Sequence, residues 1–279
     1  MKLHTIDTGF FKLDGGAMFG VVPKAIWNKQ NPADENNMIK LAMRCLLVED
    51  GNRLILIDNG IGNKQDDKFF SHYFLHGDDS LEKSLNKKGF SFGDVTDMVL
   101  THLHFDHCGG SIKWNNDHTK FETTFPNASY WIAEDHWNEM LAPNPREKAS
   151  FLKENIFPIQ ESGQLKLLKH GEKIHDSIDI IYSNGHSQSM MHPVINYNGK
   201  KVIYLADMIP TQAHIPVPYV MGYDVRPLET MSEKSSILKE AADKNHVLFF
   251  EHDPFSEACL VEQTEKGIRK KMDVKMEEM

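Results

Sequence analysis

The stretch Thr101-His102-Leu103-His104-Phe105-Asp106-His107-Cys108-Gly109-Gly110 decides how the rest of this sequence is interpreted. It follows an apolar run at 98–100, which predicts a buried strand, and it ends in Gly-Gly, which predicts a turn. Side chains alternate along an extended chain, so His102 and His104 point the same way and can offer two imidazoles to one metal ion. Asp106 and His107 follow where the chain bends, and they can face a second position. The segment therefore predicts ligands for two metal sites.

Three more apolar runs, at 178–181, 202–205 and 247–250, are each predicted to be buried strands with a ligand-type residue shortly after them. These residues are His186, Asp207 and His252. Strand ends suit a metal site because the sheet fixes the ligand separations before an ion arrives. The donors total five histidines and two aspartates, a set that favours two divalent ions, zinc first and manganese or iron as alternatives. The competing interpretation is a histidine-rich polar loop with no ligand.

The remaining pattern is mixed α and β, with a further strand predicted at 54–57. Helices are predicted at 80–88, 133–141, 231–243 and 256–271. The segments 15–37 and 209–227 are rich in Gly, Pro, Asn and aromatic residues, and they predict two long loops. Long loops with this apolar content are typical of lids over a binding pocket, with plain packing as the alternative.

Composition narrows the class of protein. The 279 residues carry 31 Lys and Arg against 40 Asp and Glu, a net charge of −9 that disfavours nucleic acid and anionic lipid as partners. No apolar run approaches the roughly 20 residues of a membrane span, and the N-terminus lacks a secretory pattern, so a cytoplasmic protein is expected. Three cysteines, Cys45, Cys108 and Cys259, predict reduced, buried thiols.

The His102-Leu-His104-Phe-Asp106-His107 run, followed by His186, Asp207 and His252, resembles the ligand series of the metallo-β-lactamase-fold hydrolases. The resemblance implies an αββα sandwich, two mixed sheets flanked by helices, as one domain over residues 1–279. It further implies that His102, His104 and His186 hold the first metal. By the same resemblance Asp106, His107 and His252 hold the second, and Asp207 bridges the two. Asp58, in a Leu-Ile-Asp-Asn-Gly stretch, is usually a residue that contacts ligands in that family.

Longer stretches, 14–24, 58–62 and 206–214, together with Trp27, are similar to the quorum-quenching lactonase and organophosphate-hydrolase branch. One position departs from it. Some lactonases of this fold have a Tyr three residues after the bridging Asp, and here that position is Pro210. The departure concerns the lactone assignment and leaves the hydrolase assignment intact.

The resemblance implies a hydrolase in which a hydroxide bridging two metal ions opens a lactone of the acyl-homoserine type or cleaves a small ester. Asp106 would carry a proton to the leaving group, and Tyr223 or Tyr219 could donate to the substrate oxygen in place of the missing Tyr. The alternatives are a phosphotriester hydrolase of the same fold and a non-enzymatic metal-binding protein. A nuclease or a flavodiiron-type redox protein fits less well, because basic clefts and a flavin domain are absent from the sequence.

Several residues carry weaker expectations. His214 could line the pocket, and Cys108 could serve as an accessory ligand, although a small buried thiol is the commoner role for it. Six apolar side chains flank the metal motif or the predicted lids and would suit a hydrophobic substrate, with core packing as the alternative: Phe105, Met18, Phe19, Trp27, Met190 and Met191. A homodimer with contacts through 15–37 is a further expectation.

Overall fold

The computed structural model describes residues 1–279, which form fourteen strands and eight α-helices. The strands are β1 (Lys2–Asp14), β2 (Met38–Asp50), β3 (Arg53–Ile57), β4 (Asp97–Val99), β5 (Ile112–Trp114), β6 (Phe121–Thr123), β7 (Ser129–Ala133), β8 (Leu165–Leu168), β9 (Ile178–Ser183), β10 (Met190–Tyr197), β11 (Lys200–Tyr204), β12 (Val247–Phe249), β13 (Ala258–Thr264) and β14 (Gly267–Val274). The helices are α1 (Gly15–Phe19), α2 (Lys24–Trp27), α3 (Asp67–Ser71), α4 (Leu81–Lys87), α5 (Phe105–Cys108), α6 (Glu134–Leu141), α7 (Lys153–Glu161) and α8 (Pro227–Lys244).

The strands form two six-stranded sheets and one small two-stranded sheet. The first has the order β1-β2-β3-β4-β7-β8, with β3, β4, β7 and β8 parallel and β2 antiparallel to β3. The second has the order β14-β13-β12-β11-β10-β9, with β11 and β12 parallel and the other pairs antiparallel. Two mixed sheets accompanied by helices confirm the predicted fold class.

The chain divides into two compact units, of which the first comprises Met1–Gly9 and Met43–Ile174. Its core joins β3, β4 and β7 to helices α4 and α7 through buried side chains such as Leu56, Met98, Tyr130, Leu85 and Ile156. Because β3, β4 and β7 are parallel, the segments that follow β3 and β4 emerge at the same edge of the sheet. That edge carries both the Asp58 turn and the His102 to His107 segment.

The second unit comprises Phe10–Ala42 and His175–Met279. Helix α8 packs against β13 and β14. The parallel pair β11 and β12 is in register from Val202 opposite Val247 to Tyr204 opposite Phe249. Asp207 and His252 therefore both follow the carboxyl ends of adjacent parallel strands, and the sheet brings them to one edge.

The helix predicted at 256–271 is wrong. This segment forms the antiparallel hairpin β13–β14, with a bulge between Leu260 and Val261. The hairpin turns at Gly267, whose φ of 88° is open to glycine but costly for other residues, and the Thr264 hydroxyl donates to the Gly267 carbonyl at 2.6 Å. The apolar residues of this segment fit both the helical and the strand periodicity, so their spacing alone also predicts a helix. The turn at Gly267 favours the hairpin. The basic residues near Lys270 accordingly lie on a strand, β14.

The other predicted elements are largely confirmed. The strands predicted at 54–57, 98–100, 178–181, 202–205 and 247–250 and the remaining three helices are all present within a few residues. Segment 15–37 was predicted to be a loop, yet it contains α1 and α2, and the Asp14 carboxylate caps α1 by accepting from the Ala17 N–H at 2.8 Å. Segment 209–227 is irregular apart from a single 3₁₀ turn, as predicted.

All three cysteines are buried and unbridged, as predicted. None of the helices combines the length and the apolar character that crossing a bilayer would require.

Candidate metal centre

In the first unit, the predicted ligand segment brings three imidazoles together. His104 has an extended backbone (φ −68°, ψ 150°) and stands at the N-terminus of the short helix α5, so the chain turns immediately before Asp106 and His107. The ring of His102 lies 4.4 Å from that of His104 and 4.0 Å from that of His107, measured between centroids. Imidazolium ions this close in a buried site would repel, which favours neutral rings with lone pairs to donate.

Asp58 holds the tautomers of two of these rings. Its carboxylate accepts from the Thr101 N–H at 2.8 Å and from the Thr101 hydroxyl at 2.7 Å, and its Oδ2 lies 3.1 Å from His107 Nδ1. Since the Thr101 hydroxyl proton goes to Asp58, its oxygen can only accept from His102 Nδ1, 3.1 Å away. Both rings thus carry their proton on Nδ1 and present a lone pair on Nε2.

The turn that carries Asp58 is fitted closely against α5. Asp58 has a φ of 55°, in the left-handed region that Asp tolerates better than most residues. Asn59 N–H donates to the His107 carbonyl at 2.9 Å, and a Cβ on Gly62 would lie 2.5 Å from the Gly109 carbonyl oxygen. Only glycine permits this approach, so the turn fixes α5 through backbone contacts. This geometry agrees with the role that the family resemblance implies for Asp58, which is contact with ligand residues.

His104 has a different neighbour. Its Nε2 lies 3.4 Å from Oε1 of Glu147, an acid that is 3% exposed and is held by Asn144. Glu147 belongs to a loop after α6, and no pattern in the sequence set it apart from other surface acids. Asp106, which is 7% exposed, has its Oδ2 3.9 Å from His107 Nε2.

In the second unit, Asp207 lies between two imidazoles. Its Oδ2 is 3.2 Å from His186 Nε2, and its Oδ1 is 3.1 Å from His252 Nε2. The Nδ1 atoms of both rings face acceptors, the carboxylate of Asp224 at 3.0 Å and the carbonyl of Ala42 at 2.8 Å. All of these side chains are buried.

The positions of Asp207, His186 and His252 require a positive charge between the carboxylate and each ring. With their protons on Nδ1, neutral His186 and His252 aim Nε2 lone pairs at the carboxylate oxygens of Asp207, and two acceptors about 3 Å apart repel unless a positive charge lies between them. A proton on each ring or a metal ion at each oxygen satisfies the geometry. The residue before the aspartate, Ala206, has a φ of 43°, a strained conformation for a residue with a Cβ, as is common next to functional side chains.

The donor set fits divalent metal ions of the zinc type. Within each unit, ligand atoms of the candidate residues lie within 4.8 Å of one another: His102 with His104 and Asp106 with His107 in the first, His186 with Asp207 in the second. Buried neutral imidazoles and carboxylates, with the second imidazole nitrogen held by a carboxylate, a hydroxyl or a carbonyl, are what such ions bind.

Four other candidate residues from the sequence differ in burial: His214, Tyr223, Tyr219 and Cys108. His214 is fully buried, with Nδ1 2.8 Å from the Thr211 hydroxyl and Nε2 2.8 Å from the Met18 carbonyl, and burial lowers its pKa to about 3. Tyr223 is 41% exposed and Tyr219 is half-buried. Burial raises the pKa of the Cys108 thiol to about 12, which favours the structural role for that residue.

The two segments predicted to be lids contact each other within the second unit. Gly222 N–H donates to the Ala17 carbonyl at 2.8 Å, and a Cβ on Gly20 would lie 2.8 Å from the Val220 carbonyl oxygen. The apolar side chains Met18, Phe19, Trp27, Met190 and Met191 are all buried, in keeping with core packing. Phe105 is only partly buried.

Sequence reasoning missed Asp224, Thr101 and Glu147 as neighbours of the candidate ligands. Thr101 had a usable signal, because it directly precedes His102 at the end of a strand. Asp224 is 38 residues from its partner His186 in a loop without a motif, so only the folded chain reveals the pair.

Comparisons with known proteins agree with this geometry. The sequence matches the Metallo-beta-lactamase superfamily over residues 44–252. An N-acyl homoserine lactonase of Bacillus cereus is 24% identical over 231 residues, covering 78% of this chain and 83% of that protein. The crystal structure of a probable metal-dependent hydrolase from Staphylococcus aureus superposes with a TM-score of 0.87 at 29% identity, covering 98% of this chain and 96% of the other.

A third similar protein is AidC, a dizinc quorum-quenching lactonase solved in complex with a product, N-hexnoyl-L-homoserine. It has a TM-score of 0.80 at 22% identity and covers 98% of this chain and 94% of its own. The fold and the buried histidine and aspartate clusters thus define a metal-dependent hydrolase with the metallo-β-lactamase fold. The chain belongs to the metallo-β-lactamase superfamily and is related to its lactonases.

Proposed function

We propose that this protein is a dinuclear-metal hydrolase that opens a lactone of the acyl-homoserine type or cleaves a small ester. The observation that carries the proposal is the position of Asp207, whose two oxygens face Nε2 of His186 and Nε2 of His252. A single carboxylate whose two oxygens face two different imidazoles is suited to bridging two ions.

In this proposal seven side chains serve one centre. His102, His104 and His186 hold one ion, Asp106, His107 and His252 hold the other, and Asp207 contacts both. Zinc is the expected metal, with manganese or iron as alternatives. Support comes from superfamily membership and from the four candidate ligands in the first unit and the three in the second, among which Nδ1 of four histidines faces an acceptor.

Two divalent ions would supply hydroxide at neutral pH, by lowering the pKa of a water they share, and would polarise the substrate carbonyl. The chain supplies the rest. Asp106 is a buried carboxylate next to His107. It takes a proton from the attacking water and delivers it to the leaving alkoxide. Tyr223 is proposed to donate to a substrate oxygen, and support comes from its partly exposed ring and its position directly before Asp224, the partner of His186.

An apolar substrate fits the surroundings of Asp106. Phe69 and Tyr73 pack around Phe105, with ring centroids 5.5 Å and 4.7 Å away. Burial and then the charge of Asp106 raise the pKa of Tyr73, so its hydroxyl stays neutral at physiological pH. Aromatic rings near the carboxylate that is proposed to carry the proton support an ester or lactone with an acyl or aryl group as substrate.

A substrate panel with the metal content measured on the same sample tests the proposal. Metal-loaded protein should hydrolyse acyl-homoserine lactones or aryl esters, and removing the metal with a chelator should abolish turnover until zinc is restored. Equal turnover by the chelated protein would refute the mechanism. Hydrolysis of phosphotriesters in preference to lactones would shift the assignment to the alternative, a phosphotriester hydrolase of the same fold.

A single domain over residues 1–279, a homodimer that uses segment 15–37 and a cytoplasmic location stay predictions.

A further inference from the structure

Helix α8 contains a lysine with no exposed surface. The Lys234 ammonium donates to the carbonyls of Pro216 at 3.1 Å and Tyr219 at 2.6 Å, and its side chain is 0% exposed. Burying an ammonium is costly, and here burial lowers its pKa to about 7, against the opposing influence of the Asp224 charge. A buried lysine that holds only loop carbonyls needs an explanation beyond core stability, because an apolar side chain would fill the space at less cost.

The loop held by Lys234 leads to the partner of a metal-ligand candidate. Tyr219 lies five residues before Asp224, whose Oδ1 is 3.0 Å from His186 Nδ1. Asp224 is 2% exposed, and its charge acts electrostatically on the Lys234 ammonium and raises the pKa of that group against the effect of burial. The orientation of the His186 ring therefore depends on where this loop places Asp224.

The same turn of α8 also holds the loop that carries His186. The Glu233 carboxylate accepts from the N–H groups of Asn184 at 2.7 Å and Gly185 at 3.1 Å. A Cβ on Gly185 would lie 2.4 Å from the Thr230 backbone nitrogen, so this loop rests directly on the helix. Two consecutive residues of α8 thus fix two loops that meet at one imidazole.

We propose that Lys234 is a positioning residue for the metal centre: it acts through Asp224 to hold His186 Nε2 in the orientation that binds the ion. The inference rests on the proposed function, because it assumes that His186 is a metal ligand. Lys234 donates to loop carbonyls, and its effect on His186 is transmitted by the segment from Tyr219 to Asp224.

The test is a double-mutant cycle in zinc affinity on the full chain, measured by competition with a chromophoric chelator. Lys234→Met should weaken one of the two zinc-binding steps by about 10-fold. Losses of this size are typical when a residue that orients a metal ligand is removed. In the Asp224→Ala variant, Lys234→Met should change the zinc affinity by less than about 2-fold. The reason is that Asp224, through which Lys234 acts on His186, is already absent. Lys239→Met, on the exposed face of α8, is the matched control and should leave zinc affinity unchanged.

Additive effects in the cycle would overturn the inference, since they would show a general loss of stability instead of coupling through Asp224. Wild-type zinc affinity in folded Lys234→Met would overturn it as well. If circular dichroism shows that Lys234→Met does not fold, Lys234→Gln enters the same cycle with the same criteria. Failure of the wild-type protein to bind zinc, manganese or iron would instead refute the proposed function and, with it, this inference.

Discussion

Replacing Asp58 by Asn removes one negative charge and changes little in shape, and its consequences can be worked out from the contacts of the carboxylate. Asp58 accepts from the Thr101 N–H and hydroxyl, and its Oδ2 faces His107 Nδ1 at 3.1 Å. The amide of Asn can still accept from the Thr101 N–H, but its NH₂ group then faces the Thr101 hydroxyl and the Nδ1–H of His107. The imidazole must move its proton to Nε2, which is the atom expected to bind metal.

The expected loss follows from these contacts. Partners behind metal-ligating histidines are worth about 10-fold to 100-fold in affinity, or about 1.4 to 2.7 kcal/mol. The metal-free protein should lose about 1 to 3 kcal/mol of unfolding free energy, because the buried Thr101 hydroxyl loses the carboxylate oxygen that accepts its proton. Chelator competition and urea unfolding measure the two quantities on the same sample.

A matched control is Asp94→Asn, which alters an exposed carboxylate whose contacts are to Ser91. It should leave zinc affinity unchanged. If Asp58→Asn bound two zinc ions as tightly as the wild type, the argument that Asp58 fixes the tautomer of His107 would be refuted.

Three further predictions concern the second unit. Asp207→Ala should lose metal and activity together, and two fully occupied metal sites in this variant, measured by elemental analysis, would disprove its bridging role. Gly185→Ala should weaken zinc binding, since its Cβ would meet the Thr230 backbone, whereas Gly93→Ala, which meets only ordinary contacts, should not; equal effects would count against the packing argument. Burial lowers the pKa of His214 from 6.5 to about 3, so between these values the unfolded chain binds a proton that the folded chain does not, and the unfolding free energy of metal-free protein should fall with decreasing pH by up to about 1.4 kcal/mol per unit. His214→Gln should flatten this slope in urea titrations at several pH values, and an unchanged slope would contradict the assignment.

The sequence predicted the features that depend on short-range pattern. Buried strands with β-branched residues, such as 54–57 and 202–205, stand out because both faces of a central strand are apolar. The extended segment at His102 and His104 could be inferred from the alternation of side chains. These features need only neighbouring residues, and they located the donor-rich strand ends correctly.

The features that sequence reasoning missed depend on the folded chain. Segment 256–271 carries helical and strand periodicity together, and only pairing across the Gly267 turn decides between them. The partners of the candidate ligands, Asp224 for His186 and Glu147 near His104, come from irregular loops 38 and 43 residues away. Their positions follow from how the loops pack on helices, for which local sequence carries no periodic signal.

The central claim is that two ions share Asp207. Crystals of the zinc-loaded protein, with anomalous difference maps from data on either side of the zinc absorption edge, test it most directly. The account predicts two peaks per chain, each next to a different oxygen of Asp207, with Nε2 of His186 on one and Nε2 of His252 on the other. A single peak, or zinc bound away from Asp207, would contradict it.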